Sequence, residues 1–511
     1  MPSAPPHWIN ALLAPARYPH AATQVELLET HGAWVLLAGE HAYKIKKPVK
    51  LPFMDFSTLA LRRAACEAEI RVNRRFERTD DPVRLYREVL PITGTADDPA
   101  WGSAAEHAFE FAVHMHRFDE AGRLDHLCQR GALTAEHLQA LARRLAAFQA
   151  SAAVATEPSP WGKPQAVLQW ARDNLESLRL APAQAASPAA VQTLAEWTES
   201  SFQALEFLLN RRRLEGRVRE GHGDLHLANL VLIGDSVLPF DAIEFNDSLR
   251  WIDVASDLAF AWMDLQHQDR IGLASVLLSE WLDASGDVRA PQVLPFFAVY
   301  RALVRAKVAA IRLGQVDAAS AEADTARAAC SAYLALAQRM AHPPAPALVI
   351  THGLSGSGKT WASTRWLAGW SDGPAIRLRS DVERKRLHGL SALQTSGSQL
   401  QGGLYTPQSH GDNYASLLAR ARTLLAEGWT VLVDAAFLRQ HERQAFAELA
   451  HAKGCPFHIL ACEAPVEVLR ERITARQAGG RDASEATLDV LEQQLGWLEP
   501  LTADERGRCL P

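Results

Sequence analysis

A glycine-rich turn in the last third of the chain constrains the fold more than any other feature of the sequence. The strand-like residues 348–351 lead into residues 353–360, GLSGSGKT, and a helix-forming run begins near Trp361. Glycines let the backbone curl so that successive N–H groups point at one place, and the following helix adds the positive end of its dipole. The sequence therefore predicts a phosphate-binding loop. The residues expected to surround the phosphates are Gly353, Ser355, Gly356, Ser357 and Gly358.

The last two residues of this turn carry the charge and the hydroxyl that a bound nucleotide needs. Lys359 is expected to place its ammonium on the β- and γ-phosphates, and the Thr360 hydroxyl is expected to ligate Mg²⁺. The pattern predicts a nucleoside triphosphate and leaves ATP and GTP open. A chance glycine-rich turn is the alternative, and the strand before the motif and the helix after it argue against that.

Strands and helices alternate around and beyond the turn. Strand-like runs lie at residues 348–351, 375–379, 429–434 and 456–462. This alternation indicates a parallel α/β sheet, because parallel strands need a crossover helix between them. Residues 348–511 are therefore predicted to form a P-loop NTPase domain.

Acidic residues follow two of these strands. Asp381 and Arg384 come directly after the second strand, where a substrate hydroxyl would lie beside the phosphate loop. Asp381 is expected to act as a general base or to orient the hydroxyl, and Arg384 to hold a substrate anion. Asp434 ends the third strand, as a Walker-B-like metal ligand would. For both acids the alternative role is a helix cap.

Arginines near the end of the chain complete this set. Residues 470–476 contain Arg472 and Arg476, and a loop with Arg481 follows. Such arginines are typical of a lid that closes over a transferring phosphoryl group and spreads its charge; a solvated helix face is the alternative. With these features, about residues 348–505 resemble the small P-loop kinases of the polynucleotide-kinase, zeta-toxin and gluconate-kinase-like group. The resemblance implies that ATP is bound with Mg²⁺.

A second constellation lies upstream. Residues 221–229, GHGDLHLAN, are followed by an apolar hairpin and by residues 240–245, FDAIEF. One loop carboxylate, Asp224, can orient an acceptor hydroxyl, while Asn229 and Asp241 hold Mg²⁺ on nucleotide phosphates. The order matches the protein-kinase catalytic set, with a glycine in the arginine position and Asp-Ala-Ile in place of Asp-Phe-Gly. Buried turn residues that satisfy backbone groups are the alternative.

The aminoglycoside phosphotransferase and choline-kinase-like families show these same two departures. About residues 25–335 resemble those families. The resemblance implies that Asp224 is the catalytic base and that Asn229 and Asp241 are metal ligands. It also implies a strand lysine that contacts nucleotide phosphates and pairs with a helix glutamate. Lys44 best fits the lysine, with Lys46 left open. Glu69 is the expected partner, with Glu67 as the second choice.

The length and the proline-rich residues 341–347 suggest several domains. Residues 1–120 are predicted to form a kinase-like N-lobe with the hinge, and residues 121–340 a helical C-lobe with the catalytic loop. Residues 341–347 form the linker to the P-loop domain. The expected fold class is a multidomain α/β and α+β protein, with an N-terminal bilobal fold of the protein-kinase type.

Composition limits the partners. A 48% apolar content indicates a folded globular protein, and a net charge of −6 provides no global attraction for nucleic acid or anionic membrane. Nucleic acid is expected, if at all, only at the C-terminal domain, on a local basic cluster. No run has the length of a membrane span and no signal peptide is visible, so a cytoplasmic location is predicted. The cluster comprises Arg377, Arg379, Arg384, Lys385 and Arg386.

Both constellations together predict an enzyme with two ATP-dependent phosphotransferase modules that act on hydroxyls of small molecules. One alternative gives the C-terminal module a polynucleotide 5′-hydroxyl or nucleotide-sugar acceptor. Another makes one module an ATP-sensing regulator of the other. The acceptor and the oligomeric state are left open by the sequence.

Overall fold

The computed structural model describes residues 5–51, 54–102, 104–182, 185–392, 394, 406–479 and 486–510, with the backbone alone for 476–479. Contacts divide the chain into two compact units. The first comprises residues 1–133, 151–167 and 206–261, and the second comprises 134–150, 168–205 and 262–511. Residues 262–340 thus group with the C-terminal sheet, whereas the sequence places a boundary at residues 341–347.

The N-terminal part is built on an antiparallel sheet. Its strands are β1 (Val25–Glu29), β2 (Ala33–Ala38), β3 (His41–Lys46), β4 (Lys50–Leu51), β5 (Met54–Asp55), β6 (Tyr86–Gly94), β7 (Pro99–Trp101) and β8 (Glu110–His116), and its helices are α1 (His7–Ala11) and α2 (Leu59–Arg74). Six strands pair in the order β1-β2-β3-β8-β6-β7, and β4 pairs with β5.

Both faces of this six-stranded sheet are covered. On one face Trp34 and Ile45 pack in a core with Ile9 and Leu12 near the N-terminus. On the other face Ala42 and Val113 pack in a second core with Cys66 of α2. Successive side chains of a strand point to opposite faces, so β3 contributes to both cores. The Thr58 hydroxyl accepts the Leu61 N–H and fixes the start of α2.

The middle of the chain is mostly helical. Its elements are α3 (Leu124–Gln129), α4 (Ala135–Ser151), α5 (Pro164–Arg179), α6 (Pro188–Leu214), β9 (Val218–Glu220), β10 (Leu230–Ile233), β11 (Ser236–Pro239), α7 (Asp247–Arg250), β12 (Trp251–Asp253), α8 (Val254–His267), α9 (Ile271–Ser285), α10 (Ala290–Leu313) and α11 (Ala321–Ala341). The apolar hairpin that the sequence places between residues 221–229 and 240–245 is formed by β10 and β11.

The C-terminal part alternates strands and helices. Its elements are β13 (Leu348–His352), α12 (Lys359–Gly369), β14 (Ala375–Arg379), α13 (Ser380–Leu387), α14 (Pro407–Ala426), β15 (Thr430–Asp434), α15 (Gln440–Lys453), β16 (Phe457–Ala461), α16 (Val466–Gly479), α17 (Leu488–Trp497) and α18 (Ala503–Gly507). The four strands are all parallel, in the order β14-β15-β13-β16. The predicted parallel α/β sheet and the mixed α+β and α/β fold class are confirmed. Every residue of β13 and of β15 is buried, as expected of central parallel strands.

Strand β14 lies at one edge of this sheet, and helix α9 satisfies its outer N–H groups. The N–H groups of Ala375 and Arg377 donate to the hydroxyls of Ser275 and Ser279, both at 3.0 Å. Two residues along a strand and one turn of a helix span similar lengths, so the pairs match. An open edge strand invites pairing with other chains. Helix α9 therefore closes this edge within the second unit.

The same helix approaches the end of α12 closely through Gly272. A Cβ atom on Gly272 would lie 2.3 Å from the carbonyl oxygen of Ala368 and 2.5 Å from that of Leu367. Both obstructing atoms are backbone, so a side chain at this position forces α9 and α12 apart. Of the residues that the structure describes, none belongs to a helix with the length and apolarity needed to span a bilayer.

We expect Gly272→Ala to destabilise the second unit by about 1–3 kcal/mol, the usual cost of overpacking. Thermal unfolding followed by circular dichroism measures the effect. Gly369→Ala is the matched control, because a Cβ at Gly369, in α12 itself, meets no atom within 4 Å. An equal loss in both variants would contradict the close approach of α9.

Candidate active sites

The first site is organised by Lys44 of β3, within the first unit. Its Nζ lies 2.8 Å from Glu69 Oε1 and 2.5 Å from Asp241 Oδ1. Glu69 is fully buried on α2, whereas Glu67 pairs with Arg63 on the helix surface. Glu69 and Asp241 lie 25 and 197 residues from Lys44 along the chain, and the fold brings these three predicted residues into contact.

A second lysine lies on the same face of β3. Lys46 is buried, and its Nζ contacts the other Glu69 carboxylate oxygen and also Glu244 Oε1. Both lysines therefore pair with Glu69, whereas Asp241 pairs with Lys44. The sequence analysis did not identify Glu244. The sequence signal for Glu244 was its position three residues after Asp241. Nothing in the sequence shows that Lys46 pairs with a second carboxylate, so Glu244 was missed.

Burial and charge act against each other in this cluster. Burial opposes ionisation of Asp241 and Glu69, but the lysine ammonium groups outweigh it and hold the pKa of both carboxyls below the usual values. Burial prevails at Glu244 and raises its pKa, although Lys46 favours the ionised form. At neutral pH the cluster therefore keeps Asp241 as a carboxylate.

The catalytic loop is held by hydrogen bonds to its backbone. Asp257 accepts the N–H groups of His222 (2.8 Å) and Gly223 (3.0 Å), and Gly223 has a φ of +88° that favours glycine. Asn229 Nδ2 donates to the carbonyl oxygen of Asp224 at 2.9 Å and to its Oδ2 at 3.2 Å. Asp257 therefore braces the loop through two backbone N–H groups.

Two neighbouring residues have structural contacts. Asp253 receives two 2.8 Å hydrogen bonds from Arg212. His222 Nε2 lies 2.9 Å from the Phe240 carbonyl oxygen, and its Nδ1 accepts the Asp224 N–H. Burial lowers the pKa of His222, so the ring is neutral and positions the loop.

The oxygens next to Asp224 suit a magnesium ion. The Phe240 N–H donates to the Asn229 carbonyl oxygen at 3.0 Å, which places Asp241 beside Asn229. Asp241 has a φ of +60°, an unusual value for a residue with a side chain. Among the described residues, Asn229 Oδ1 and Asp241 Oδ2 accept no hydrogen bond. Mg²⁺ typically takes one or two protein oxygens together with substrate phosphates, so these residues fit the group.

The second site surrounds the glycine-rich loop between β13 and α12. Gly353, Gly356 and Gly358 have φ values of +150°, +83° and +90°. A Cβ atom on Gly353 would lie 2.2 Å from the Cys462 carbonyl oxygen. Lys359 Nζ donates to the carbonyl oxygens of Gly353 (3.0 Å) and Leu354 (2.8 Å), so its ammonium lies over the loop.

A cavity of about 690 Å³ brings the predicted residues of this domain together. Asp381 and Arg384, at 3.4 Å from each other, lie on α13 directly after β14. Asp434, at the end of β15, is buried. The predicted residues that line the cavity are Ser355, Gly356, Gly358, Lys359, Thr360, Asp381, Arg384, Asp434 and Arg472.

Thr360 and Asp434 suit a magnesium ion in this cavity. Ser363 Oγ lies 3.0 Å from Asp434 Oδ2 and 3.0 Å from the Thr360 carbonyl oxygen, and so links the two residues. In the described part of the chain, Thr360 Oγ1 and Asp434 Oδ1 make no hydrogen bond. One hydroxyl and one carboxylate, with nucleotide phosphates, form a typical Mg²⁺ site.

Two residues of the C-terminal helices reach the loop. Arg472 NH1 of α16 donates to the Gly356 carbonyl oxygen at 3.3 Å, as a lid arginine would. Gln494 Oε1 of α17 accepts the Ser355 N–H at 2.7 Å, a contact that no sequence pattern indicated. The Arg476 side chain and Arg481 of the predicted lid lie outside the described residues.

The basic cluster proposed for nucleic acid divides between the interior and the surface. Arg377 is 3% exposed and donates to Thr364 Oγ1 at 2.7 Å. Lys385 is 2% exposed. Arg386 forms an ion pair with Glu383. The spacing along the chain did not reveal which of these cations face the interior.

One known family model matches the C-terminal part of the chain. Residues 348–501 match the family described as AAA domain, which confirms the P-loop module that the sequence places at about residues 348–505. Uncharacterized protein Rv2004c of Mycobacterium tuberculosis strain H37Rv is 29% identical over 474 residues, 93% of this chain and 91% of that protein. Uncharacterized protein Mb2027c of Mycobacterium bovis gives the same values. The similarity therefore spans both halves of the chain.

Similar solved structures are of two kinds. Amicoumacin kinase hAmiN, in complex with AMP-PNP, Ca²⁺ and Ami, has a TM-score of 0.41 and 14% identity, covering 65% of this chain and 91% of that chain. A choline/ethanolamine kinase family protein from Mesorhizobium loti has a TM-score of 0.36 and 14% identity, covering 65% and 99%. A sugar kinase from Janibacter sp. HTCC2649 has a TM-score of 0.24 and 22% identity, covering 32% and 83%.

We expect Lys46→Met to destabilise the first unit by about 3–5 kcal/mol, because it leaves the buried Glu244 without its counter-charge. In this variant the pKa of Glu244 is higher in the folded than in the unfolded protein. The loss of stability is therefore largest above the folded-state pKa, where Glu244 is ionised, and becomes smaller as the pH falls. Urea unfolding at pH 8 and pH 5 measures both effects.

Lys50→Met is the control for Lys46→Met. It removes an exposed pair with Asp55 (3.1 Å) that solvent screens, so we expect almost no change in stability. A Lys46→Met variant as stable as this control at pH 8 would contradict the buried network.

Proposed function

We propose that the chain is an ATP-dependent kinase with two nucleotide sites, each of which transfers the γ-phosphoryl group to a hydroxyl of a small molecule with Mg²⁺. The contact of Lys44 with both Glu69 and Asp241 carries the proposal for the first site. A lysine held in this way is what a kinase requires to contact nucleotide phosphates. The predicted division into residues 1–120, 121–340, 341–347 and 348–511 is part of the proposal.

At the first site Asp224 takes the proton of the acceptor hydroxyl. Its carboxylate is partly exposed and is oriented by Asn229 Nδ2. The acceptor oxygen forms a bond to the γ-phosphorus as the bond to the β–γ bridging oxygen breaks. Asn229 and Asp241 would hold the metal, which neutralises the phosphate charge when bound. Lys44 stabilises the charge on the phosphates that remain.

At the second site the corresponding groups come from the cavity around the glycine-rich loop. Asp381 orients the acceptor hydroxyl, and Arg384 lies beside it. Lys359 and the N-terminus of α12 bind phosphates. Thr360 and Asp434 would hold the metal, and Arg472 faces the charge that develops on the transferring group. The candidate base, the candidate metal ligands and the phosphate-binding groups thus line one cavity. This supports phosphoryl transfer to an acceptor rather than the use of ATP hydrolysis for mechanical work.

The location and the acceptor belong to the same proposal. None of the six cysteines, all of which lie in the described ranges, forms a disulfide, which supports a reducing, cytoplasmic compartment. The buried positions of Arg377 and Lys385 favour a small acceptor over a polynucleotide at the second site. A polynucleotide or nucleotide-sugar acceptor, and an ATP-sensing role of one module, remain outcomes of the test.

We expect Asp224→Ala and Lys359→Ala each to abolish a different phosphorylated product. The loss of a general base lowers kcat by about 10²–10⁴-fold. The measurement is transfer of labelled phosphate from ATP to sugars, amino alcohols, aminoglycosides and 5′-hydroxyl oligonucleotides. Exposed Asp235 and Lys453 provide the controls Asp235→Ala and Lys453→Ala, which should retain both activities.

Other outcomes distinguish the alternatives. If Lys359→Ala only changes the rate at the first site, the C-terminal module is a sensor. Transfer restricted to 5′-hydroxyl oligonucleotides would establish the polynucleotide acceptor. If no hydroxyl compound accepts phosphate or stimulates ATP turnover, the proposed function is wrong.

A further inference from the structure

Part of the C-terminal cavity is lined by side chains that the proposed transfer does not use. They come from α14, from the turn after β15, from α15 and from α17. Rings dominate: the His410 ring centroid lies 4.7 Å from that of Tyr414 and 6.0 Å from that of Trp497. These lining residues are His410, Tyr414, Arg439, Glu442 and Trp497.

Most polar groups in this aromatic part already have partners in the protein. His410 Nε2 lies 2.7 Å from Glu442 Oε1, and Glu442 is buried. The Tyr414 hydroxyl accepts the Phe437 N–H at 3.0 Å. These contacts fix the rings in place. The ring faces therefore provide an aromatic surface on which a ligand can pack.

Arg439 is the exception. Its guanidinium carbon lies 4.7 Å from the centroid of the Trp497 ring, which holds the side chain against the aromatic wall. No carboxylate in the described part of the chain lies within 4.0 Å of its nitrogens. The other two arginines that line the cavity differ, because Arg384 pairs with Asp381 and Arg472 lies on the glycine-rich loop.

An arginine presents several N–H donors in a planar fork that matches carboxylate and phosphate oxygens. Arg439 has this fork in a cavity where a phosphate loop and a candidate base are also present. Arg472 and Lys359 are close to the loop that would hold the nucleotide phosphates. Arg439 is therefore left for an anion that is not part of the nucleotide.

We propose that the acceptor at the C-terminal site carries an anionic group, a carboxylate or a phosphate monoester, in addition to the hydroxyl that is phosphorylated, and that Arg439 binds this group. The acceptor is a small hydroxylated compound, because it shares a cavity of about 690 Å³ with the nucleotide. Its carbon skeleton packs on His410 and Trp497. The inference depends on the proposed function of this site and names its substrate class.

The test uses the full-length protein with Asp224→Asn, which removes the first site from the measurement. Two series of acceptors each share one carbon skeleton and differ in whether one end is a hydroxyl, a carboxylate or a phosphate ester: glucose, glucuronate and glucose 6-phosphate, and glycerol, glycerate and glycerol 3-phosphate. ADP formation provides kcat and KM for each acceptor and KM for ATP. The carboxylates and the phosphates separate the two sources of anionic charge.

In at least one series we expect an anionic member to have the highest kcat/KM. Arg439→Gln should raise KM for that acceptor on the order of 10- to 100-fold, the usual contribution of a hydrogen bond to a charged group. KM for ATP should not change, and Arg439→Lys should recover part of the loss. Arg422→Gln, at an exposed position of α14 outside the cavity, should have no effect.

The remaining outcomes separate this inference from the proposed function. If neutral acceptors react as well as charged ones and the reaction requires Lys359, the kinase activity stands and the anion site is wrong. An unchanged KM in Arg439→Gln also overturns the inference. If no acceptor of either charge supports ADP formation that requires Lys359, the proposed kinase activity at this site fails, and the inference fails with it.

Discussion

The ammonium of Lys44, held between Glu69 and Asp241, is the interaction on which the first site depends. Glu69 is fully buried, and a buried carboxylate without a counter-charge costs several kcal/mol. The lysines compensate this cost and lower the pKa of both carboxyls. Sheet, helix α2 and hairpin loop each supply one member, so the charges can be satisfied only when all three elements are in place. Folding therefore assembles the site.

The second unit depends on backbone geometry more than on charge. The glycine-rich loop passes so close to Cys462 that a Cβ on Gly353 would overlap its carbonyl oxygen. Helix α9 comes equally close to α12 at Gly272 and satisfies the edge of β14 through Ser275 and Ser279. Because β14 ends at Arg379 and Asp381 lies directly after it on α13, helix α9 supports the strand that positions a candidate catalytic residue.

Sequence patterns predicted local structure where spacing along the chain is short. The strand and helix around residues 353–360 lie where the pattern placed them, and Lys44, Glu69 and Asp241 lie together, as the family resemblance implied. Sequence reasoning missed Glu244 and Gln494, because each partner is distant in sequence and a single glutamate or glutamine has no distinguishing pattern. It also treated Arg377 and Lys385 as one basic cluster with their neighbours, although burial separates them.

By itself the sequence predicted the candidate chemistry of this protein: local spacing indicated a phosphate loop and two sets of acidic residues, one of them with an amide, and the family resemblance implied a strand lysine. The tertiary structure decided which lysine contacts Asp241, which acid braces the predicted catalytic loop, and that Arg439 lies against Trp497 in the C-terminal cavity without a carboxylate partner among the described residues. The physical reason is that ion pairing and burial depend on distances between elements remote in the chain. Periodicity identifies the face of a strand but not what packs against it.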